Sequence, residues 1–335
     1  MQKFDVAIVG AGPAGLECAR KLKNKNLSVA IFEKNKIIGP KICAGGLTGL
    51  AENFDFPAEK TRSFLRHQIF FDKKIFEINL RRPIRTISQH DLGQHQFQKI
   101  KNSKNIKIFC GAEIKKISEK KIVTQKNEKF GFKFLVGADG ANSAVRKFLN
   151  LPAKFCVGIC QNFSEIREKI CWRVDPQKIP AGYFWIFPHQ KFTNYGIYFD
   201  PKILHPAAAQ KNFSEFLAAA GKKFSAKKVR AAAVNFNFCG CEFGEIFLVG
   251  DAAGLASRGT GEGISFALIS GAEIARKILD KNYALPQLRR ILKIKKKQEL
   301  ALRIFKFFPA IFQKFFLRIL FFLLRKKWAQ KFFEI

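Results

Sequence analysis

Glycines and carboxylates recur in this chain at spacings that suit a phosphorylated ligand. Gly10-Ala11-Gly12-Pro13-Ala14-Gly15 follows an apolar run, and Glu33 comes 23 residues after Gly10. Between a strand and a helix, Gly10 permits a tight turn and Gly12 lets backbone approach a pyrophosphate. Gly15 lets helix and strand pack closely. A helix opening at about Ala14 offers free N–H groups and its positive dipole end to phosphate. Glu33 ends a second apolar strand, where a carboxylate accepts hydrogen bonds from ribose hydroxyls.

That fingerprint alone does not separate NAD from FAD; a second cluster does. Phe247-Leu248-Val249-Gly250-Asp251-Ala252-Ala253-Gly254 places Asp251 at a strand's carboxyl edge, and Gly259-Thr260-Gly261-Glu262-Gly263-Ile264 opens a helix. The carboxylate suits a ribityl hydroxyl, and the helix N-terminus suits negative charge on the pyrimidine edge of a reduced flavin. Between the two clusters, Gly137-Ala138-Asp139-Gly140 is another glycine–acid turn after a strand. The cofactor expected is FAD.

The three motifs together resemble the flavoprotein group that includes aromatic hydroxylases and geranylgeranyl reductases, over roughly residues 4 to 275. Two further stretches are similar to the reductases. Lys41-Ile42-Cys43-Ala44-Gly45-Gly46-Leu47 is similar to their K-x-C-G-G segment beside the flavin, and Gly182-Tyr183-Phe184-Trp185-Ile186-Phe187-Pro188, with Gly196, is similar to their Y-x-W-x-F-P motif. The resemblance implies hydride transfer from reduced flavin to a carbon–carbon double bond of a polyprenyl lipid or its diphosphate. It places Cys43 near the flavin as proton donor or positioning group, the other reading being a small buried hydrophobe. Tyr183, Trp185 and Phe187 share one face of a strand, either lining a prenyl pocket or forming core. His189 is either a proton relay or a structural histidine, and Arg258 either steers a phosphate or is a surface charge. Departures from the family pattern are Gln89 or His90 in place of an arginine, Arg258 in place of a proline and His189 in place of a lysine. They bear on the substrate rather than on FAD.

These residues need a frame to position them. Buried strands are predicted at Asp5–Val9, Ser28–Glu33, Ile106–Cys110, Phe134–Val136 and Ile246–Val249, with helices over 14–23, 92–100, 213–220 and up to about Leu279. The fold expected is α/β: a Rossmann-like FAD-binding domain with an inserted antiparallel sheet that forms the substrate domain, followed by a basic helical tail. Residues 1–150 form the first part of the FAD-binding domain, with a β-rich excursion at about 55–90. Residues 151–236 form the substrate domain, 237–280 return to the first, and 281–335 are the tail.

Composition limits the partners. Lys and Arg number 60 against 26 Asp and Glu, a net charge of +34, which attracts phosphate on nucleotides, nucleic acid or an anionic membrane. Hydrophobic residues make up 47% of the chain, which excludes global disorder. The eight cysteines show no zinc-site spacing, so no metal is expected. Met1-Gln2-Lys3 leads into an apolar strand without a secretory pattern; reduced thiols and a cytoplasmic location follow.

Residues 281–335 carry 15 Lys and Arg and 2 Glu, a net charge of +13, with ten Phe after residue 300. Lys306, Pro309, Gln313, Lys314 and Arg318 interrupt the apolar run at 304–324 and exclude a membrane span. On a helical wheel Arg303, Lys306, Lys314, Arg318 and Arg325 fall within an arc of about 120°. An amphipathic helix over 299–327 is expected, lying on anionic lipid or packing on the body of the protein. No nucleic-acid module accompanies it.

The function expected is reduction of polyprenyl double bonds at a membrane surface. NAD(P)H and a ferredoxin-like protein both remain open as reductant. One alternative is a flavin monooxygenase of aromatic or lipid substrates. Another is a non-catalytic, flavin-stabilised scaffold on membrane or nucleic acid, against which the retained Lys41–Gly46 segment argues.

Overall fold

The apolar run at Asp5–Val9 becomes the centre of the first sheet in the computed structural model, which describes residues 1–333. In the tail, the side chains of Lys306, Ala310, Ile311 and residues 331–333 lie outside that description, as do Glu334 and Ile335. Strand β1 (Gln2–Val9) is followed by helix α1 (Pro13–Leu22) and strand β2 (Val29–Glu33), with β1 and β2 parallel. Pro13, in the first turn of α1, has no N–H to leave unsatisfied there. Val6, Ala7 and Ile8 are buried, as in a strand covered on both faces.

The next elements of the chain are β3 (Gly46–Leu47), β4 (Arg62–Phe71), β5 (Lys74–Thr86) and α2 (Gln89–Gln98). Then come β6 (Ile106–Cys110), the hairpin β7 (Ile114–Ser118) and β8 (Lys121–Thr124), β9 (Lys129–Gly137) and α3 (Ala144–Phe148). Helix α2 starts three residues before the expected Leu92, because the Ser88 hydroxyl accepts from Asp91 N and caps it.

The second stretch of strands is β10 (Phe155–Phe163), β11 (Ile170–Arg173), β12 (Tyr183–Pro188) and β13 (Thr193–Phe199). Helix α4 (Pro206–Ala219) and β14 (Arg230–Asn235) follow. The chain then passes through β15 (Glu242–Phe243), β16 (Ile246–Leu248), α5 (Gly250–Ala253) and α6 (Ile264–Leu279). The first sheet has the order β15-β16-β9-β1-β2-β6, with the β7–β8 hairpin on β9. The carboxyl ends of β1, β2, β9 and β16 therefore share one edge, and each leads into one of the expected glycine or acid turns. Helix α6 lies against α1 so closely that a Cβ at Gly271 would come within 2.1 Å of Ala14 O.

The second sheet has the order β14-β10-β13-β12-β11-β4-β5-β3. Strands within 55–90 thus share a sheet with those within 151–236. The junction between the two sets, β4 with β11, is parallel, with His67 opposite Ile170. All other pairings in this sheet are antiparallel. Phe184 on β12 stacks on Phe216 of α4 at 4.4 Å, so the even-numbered face of β12 is core. Tyr183, Trp185 and Phe187 occupy the opposite face.

The tail is not one helix. Phe308 and Pro309 break it into α7 (Pro286–Phe307) and α8 (Ala310–Leu323), and α9 (Lys327–Phe333) follows. Leu288, Ile291 and Ile294 of α7 join the core of the first sheet. Leu317, Phe321 and Leu324 pack on β4–β5, where Phe321 lies 5.5 Å from Phe71 and 5.7 Å from Phe76. Arg318, on the expected basic arc, forms an ion pair with Asp72 at the β4–β5 turn. Phe307, Phe312, Phe315, Phe322 and Trp328 remain exposed. Among the described residues no helix is long and apolar enough to cross a membrane.

Gly196 tests the packing of the second sheet. A Cβ there would come within 2.0 Å of the Trp185 indole, whereas one at Gly158 would meet the same ring at an ordinary 3.5 Å. Gly196→Ala should cost about 1–3 kcal/mol in denaturant unfolding, and Gly158→Ala much less. Equal losses at the two positions would show that the indole does not need the space over Gly196.

Candidate functional site

The first glycine turn divides its tasks. Gly10 has φ +99°, and a Cβ there would lie 2.4 Å from Ala138 O. A Cβ on Gly15 would lie 2.1 Å from Gly10 O, so both glycines are required by the turn itself. Gly12 faces open space instead, its nearest neighbour being Ala138 O at 4.0 Å. This is the cradle that a pyrophosphate would need. Ala14 must be small, since it sits under both Gly271 and Gly250.

Glu33 is buried and already engaged. Its Oε2 accepts from Ala11 N at 2.8 Å, and its Oε1 accepts from Asn35 N at 2.9 Å and Asn35 Nδ2 at 2.7 Å. The expected ribose acceptor thus also clamps the turn. Asp139 behaves similarly, its Oδ2 accepting from Ala144 N at 2.6 Å. Its Oδ1 is buried with no partner among the described residues, and burial raises the carboxyl's pKa. Gly140 (φ +78°) has open space where its Cβ would be. Arg146, at the end of the same motif, is fully buried and donates to Ala252 O (2.9 Å) and Asn237 O (2.7 Å). It ties the Asp139 turn to the Asp251 turn.

At the second cluster, Asp251 Oδ2 meets Lys41 Nζ at 3.0 Å, and that carboxylate raises the lysine's pKa. Gly261 (φ +68°) and Gly263 lead into Ile264, the first residue of α6. Glu262 accepts from Thr48 Oγ1, and burial raises its pKa. Glu262 is not among the residues expected from the sequence; its place between two glycines before a helix is the signal for it.

Residues 41–47 bridge the two sheets. Cys43 is exposed to the cavity, and its Sγ accepts from Gly45 N at 3.3 Å. Gly45 has φ +75°, and a Cβ on Gly46 would come within 2.7 Å of the Phe187 ring. His189 Nε2 donates to Ala44 O at 3.0 Å, and its ring stacks on Phe192 at 4.5 Å. His189 does not line the cavity, so it holds the segment in place; the structure assigns it no proton path. Burial lowers its pKa to about 4. Arg258 is neither free nor aimed at a phosphate: it pairs with Asp200 at 2.5 Å and lies over Phe236 at 5.0 Å.

One cavity of about 890 Å³ connects these features. Of the residues expected to hold the cofactor or act on the substrate, Gly15, Gly45, His189 and Arg258 do not line it; the others do. It runs from the glycine turns past Cys43 and Gly46 to Tyr183, Trp185 and Phe187. Beyond these its walls are Trp172, His67, Ile69 and Ile78, and then Phe321, Leu324 and Gln330 of the tail. The Tyr183 hydroxyl donates to Thr260 O at 2.5 Å, and burial raises its pKa. Trp185 Nε1 donates to Asn194 Oδ1 at 2.6 Å. Gln89 lines the cavity, whereas His90 is exposed.

Burial lowers the pKa of His67, like that of His189, from 6.5 to about 4. Above pH 6.5 both are neutral whether the chain is folded or not, and neither affects stability. Below it the unfolded chain takes up protons that the folded chain refuses, so stability falls from pH 6.5 towards 4. By pH 5 the loss is about 2 kcal/mol for each histidine. Urea unfolding of wild type between pH 7 and 5 should show this slope, and His189→Gln should flatten it. An unchanged slope in the variant would place His189 in a more solvated site.

The profile of the pyridine nucleotide-disulphide oxidoreductase family matches residues 4–170. An uncharacterised protein of Methanosarcina barkeri is 30% identical over 296 residues, covering 83% of this chain and 75% of that protein. A digeranylgeranylglycerophospholipid reductase of Thermoplasma acidophilum is 26% identical, covering 86% of this chain and 82% of the reductase. Among solved structures, a geranylgeranyl bacteriochlorophyll reductase-like protein of the same organism aligns with a TM-score of 0.78 at 21% identity, covering 97% and 92% of the two chains. The p-nitrophenol 4-monooxygenase of Pseudomonas putida aligns with a TM-score of 0.77 at 14% identity, covering 99% and 96%. The open cradle at Gly12, the unpartnered Asp139 oxygen and two helix N-termini on one cavity fit FAD. The chain belongs to the geranylgeranyl reductase-like family of FAD-dependent oxidoreductases.

Proposed function

We propose that this chain reduces carbon–carbon double bonds of a polyprenyl lipid or its diphosphate. The observation that carries the reading is the continuation of the cavity beyond Cys43 and Gly46. Its walls there are Trp172, Trp185, Phe187, Ile69, Ile78 and Phe321, a long apolar path suited to an isoprenoid chain. An aromatic acid, the substrate of the rival monooxygenase reading, needs a cation. The described lining offers Lys41, already paired with Asp251, and Lys34, at the nucleotide end.

FAD, when bound and reduced by an external donor, would supply the hydride. The chain's own residues do the rest. In this reading Gly10, Gly12, Ala14, Gly15 and Glu33 would hold the adenosine and diphosphate groups, with Asp139 and Gly140 lining the same end of the cavity. Asp251, Gly261, Gly263 and Ile264 would meet the ribityl and pyrimidine groups, and the segment of Lys41, Cys43, Ala44, Gly45 and Gly46 would lie along the flavin face. Cys43, open to the cavity, delivers or positions the proton for the second carbon. Tyr183 and Trp185 are fixed by their hydrogen bonds and shape the wall against which the chain lies. The apolar lining excludes water from the charge that develops on carbon.

Reduced anaerobically with dithionite, the enzyme should be reoxidised by a geranylgeranyl lipid, whose mass should rise by two units per bond. Cys43→Ala should slow reoxidation at least tenfold while FAD stays bound. Equal rates would demote Cys43 to packing, and product carrying an added oxygen would favour a monooxygenase.

The same reading places the enzyme in the cytoplasm, at an anionic membrane surface. Phe312, Phe315 and Phe322 of α8 are exposed on the side away from the docked Leu317 and Phe321. Exposed Arg325, Lys326 and Lys327 follow α8 directly in the chain. Each basic residue near anionic lipid contributes roughly 1 kcal/mol, and the apolar contribution is insensitive to salt. Serine at Phe312, Phe315 and Phe322 should reduce binding to anionic liposomes more than tenfold without loss of FAD. Unchanged sedimentation with liposomes would rule out this face.

A further inference from the structure

Strand β4 carries a histidine where its inward face calls for an aliphatic residue. His67, Ile69 and Phe71 point inward and are buried, while Arg66, Gln68 and Phe70 are not. His67 is 5% exposed and lines the cavity. Its ring meets Trp172 edge-on at 4.7 Å, and Trp172 lies 5.1 Å from Phe187, which packs on Gly46. His67 is therefore two aromatic side chains away from the flavin-face segment, on the path towards Phe321 and the tail.

Its Nδ1 is buried with no hydrogen-bond partner among the described residues. A neutral imidazole carries one donor and one acceptor, and leaving the buried Nδ1 without a partner in an apolar wall disfavours the fold. Such a group is accounted for when a ligand completes it. The neighbours Ile69, Ile78, Trp172 and Val174 provide no counter-charge, so a phosphate there would be buried uncompensated.

We propose that His67 is the polar anchor of the polyprenyl cavity, hydrogen-bonding an uncharged oxygen of the substrate, such as a hydroxyl, ether or carbonyl. This rests on the polyprenyl reading and narrows it: the cavity selects isoprenoids with a neutral oxygen at that depth. A diphosphate, if the substrate carries one, stays outside this stretch. His67 is a positioning residue, set away from the reacting carbons.

The test uses the full-length FAD-loaded protein and two ligands, geranylgeraniol and the hydrocarbon of the same skeleton with methyl in place of CH2OH. Binding is followed by perturbation of the flavin spectrum and by KM for reoxidation of the reduced enzyme. Wild type should bind the alcohol at least tenfold more tightly than the hydrocarbon. His67→Phe should abolish that difference through the alcohol's KM, and His67→Gln should keep part of it. Without ligand, His67→Phe should melt at the same temperature as wild type or higher, since it removes an unpaired polar group and keeps the edge-on contact with Trp172. Equal binding of alcohol and hydrocarbon by wild type overturns the anchor alone, as does discrimination that survives in His67→Phe. If wild type binds neither ligand and neither reoxidises it, the polyprenyl reading falls and the anchor falls with it.

Discussion

Residues 41–47 carry the one junction on which the site depends, because they belong to both halves of the molecule. Gly46 and Leu47 pair with β5 as an edge strand of the second sheet, while Lys41, five residues before Gly46, is tied to Asp251 beyond the first. Phe187 and His189 hold the middle of the segment from β12 and the residue after it. Without Cβ atoms at Gly45 and Gly46 the segment can lie flat between these anchors. Cys43 then opens onto a cavity whose nucleotide end is built by one sheet and whose apolar end is built by the other. A shift of this segment would move Cys43 relative to both ends at once.

The nucleotide turns were legible because their requirements are local. Gly10 and Gly15 answer to atoms within a few residues or on the adjacent strand, and the strand–glycine–helix order states the geometry directly. What escaped depends on pairing between distant segments. That β4 joins β11 is a contact across about a hundred residues, and nothing within 55–90 announces it. Arg258 reads as a loose charge until Asp200, 58 residues earlier, comes beside it. His189 reads as a relay until Ala44 O, 145 residues away, takes up its nitrogen.

His67 shows a subtler failure of pattern reading. Counting alternate residues inward from the buried Phe64 puts Arg66 and Gln68 inside and turns His67 outward. The ladder between β4 and β5 has a register shift between Phe64 and Arg66, and this irregularity reverses the alternation. Beyond it His67, Ile69 and Phe71 face inward. No residue type in Arg62-Ser63-Phe64-Leu65-Arg66 marks the shift, so the polar member of the cavity wall is visible only in the fold.

Of the two readings that the sequence left open for the tail, packing on the body of the protein is the one observed. Breaking the helix at Phe308–Pro309 frees α8 to lie across β4–β5, where Leu317, Phe321 and Leu324 bury one flank and Arg318 fixes the register through Asp72. Phe315 and Phe322 are left on the opposite flank, and an aromatic face in water is disfavoured unless something apolar covers it. Since Phe321 and Leu324 line the cavity, one helix thickness separates that face from the proposed substrate path. A polyprenyl lipid is itself insoluble, and carrying it through water to a buried flavin site would expose the surface that the cavity is built to cover. In the proposed membrane-bound state the tail would remove that step, because the wall of the cavity and the proposed lipid contact would be two sides of the same helix.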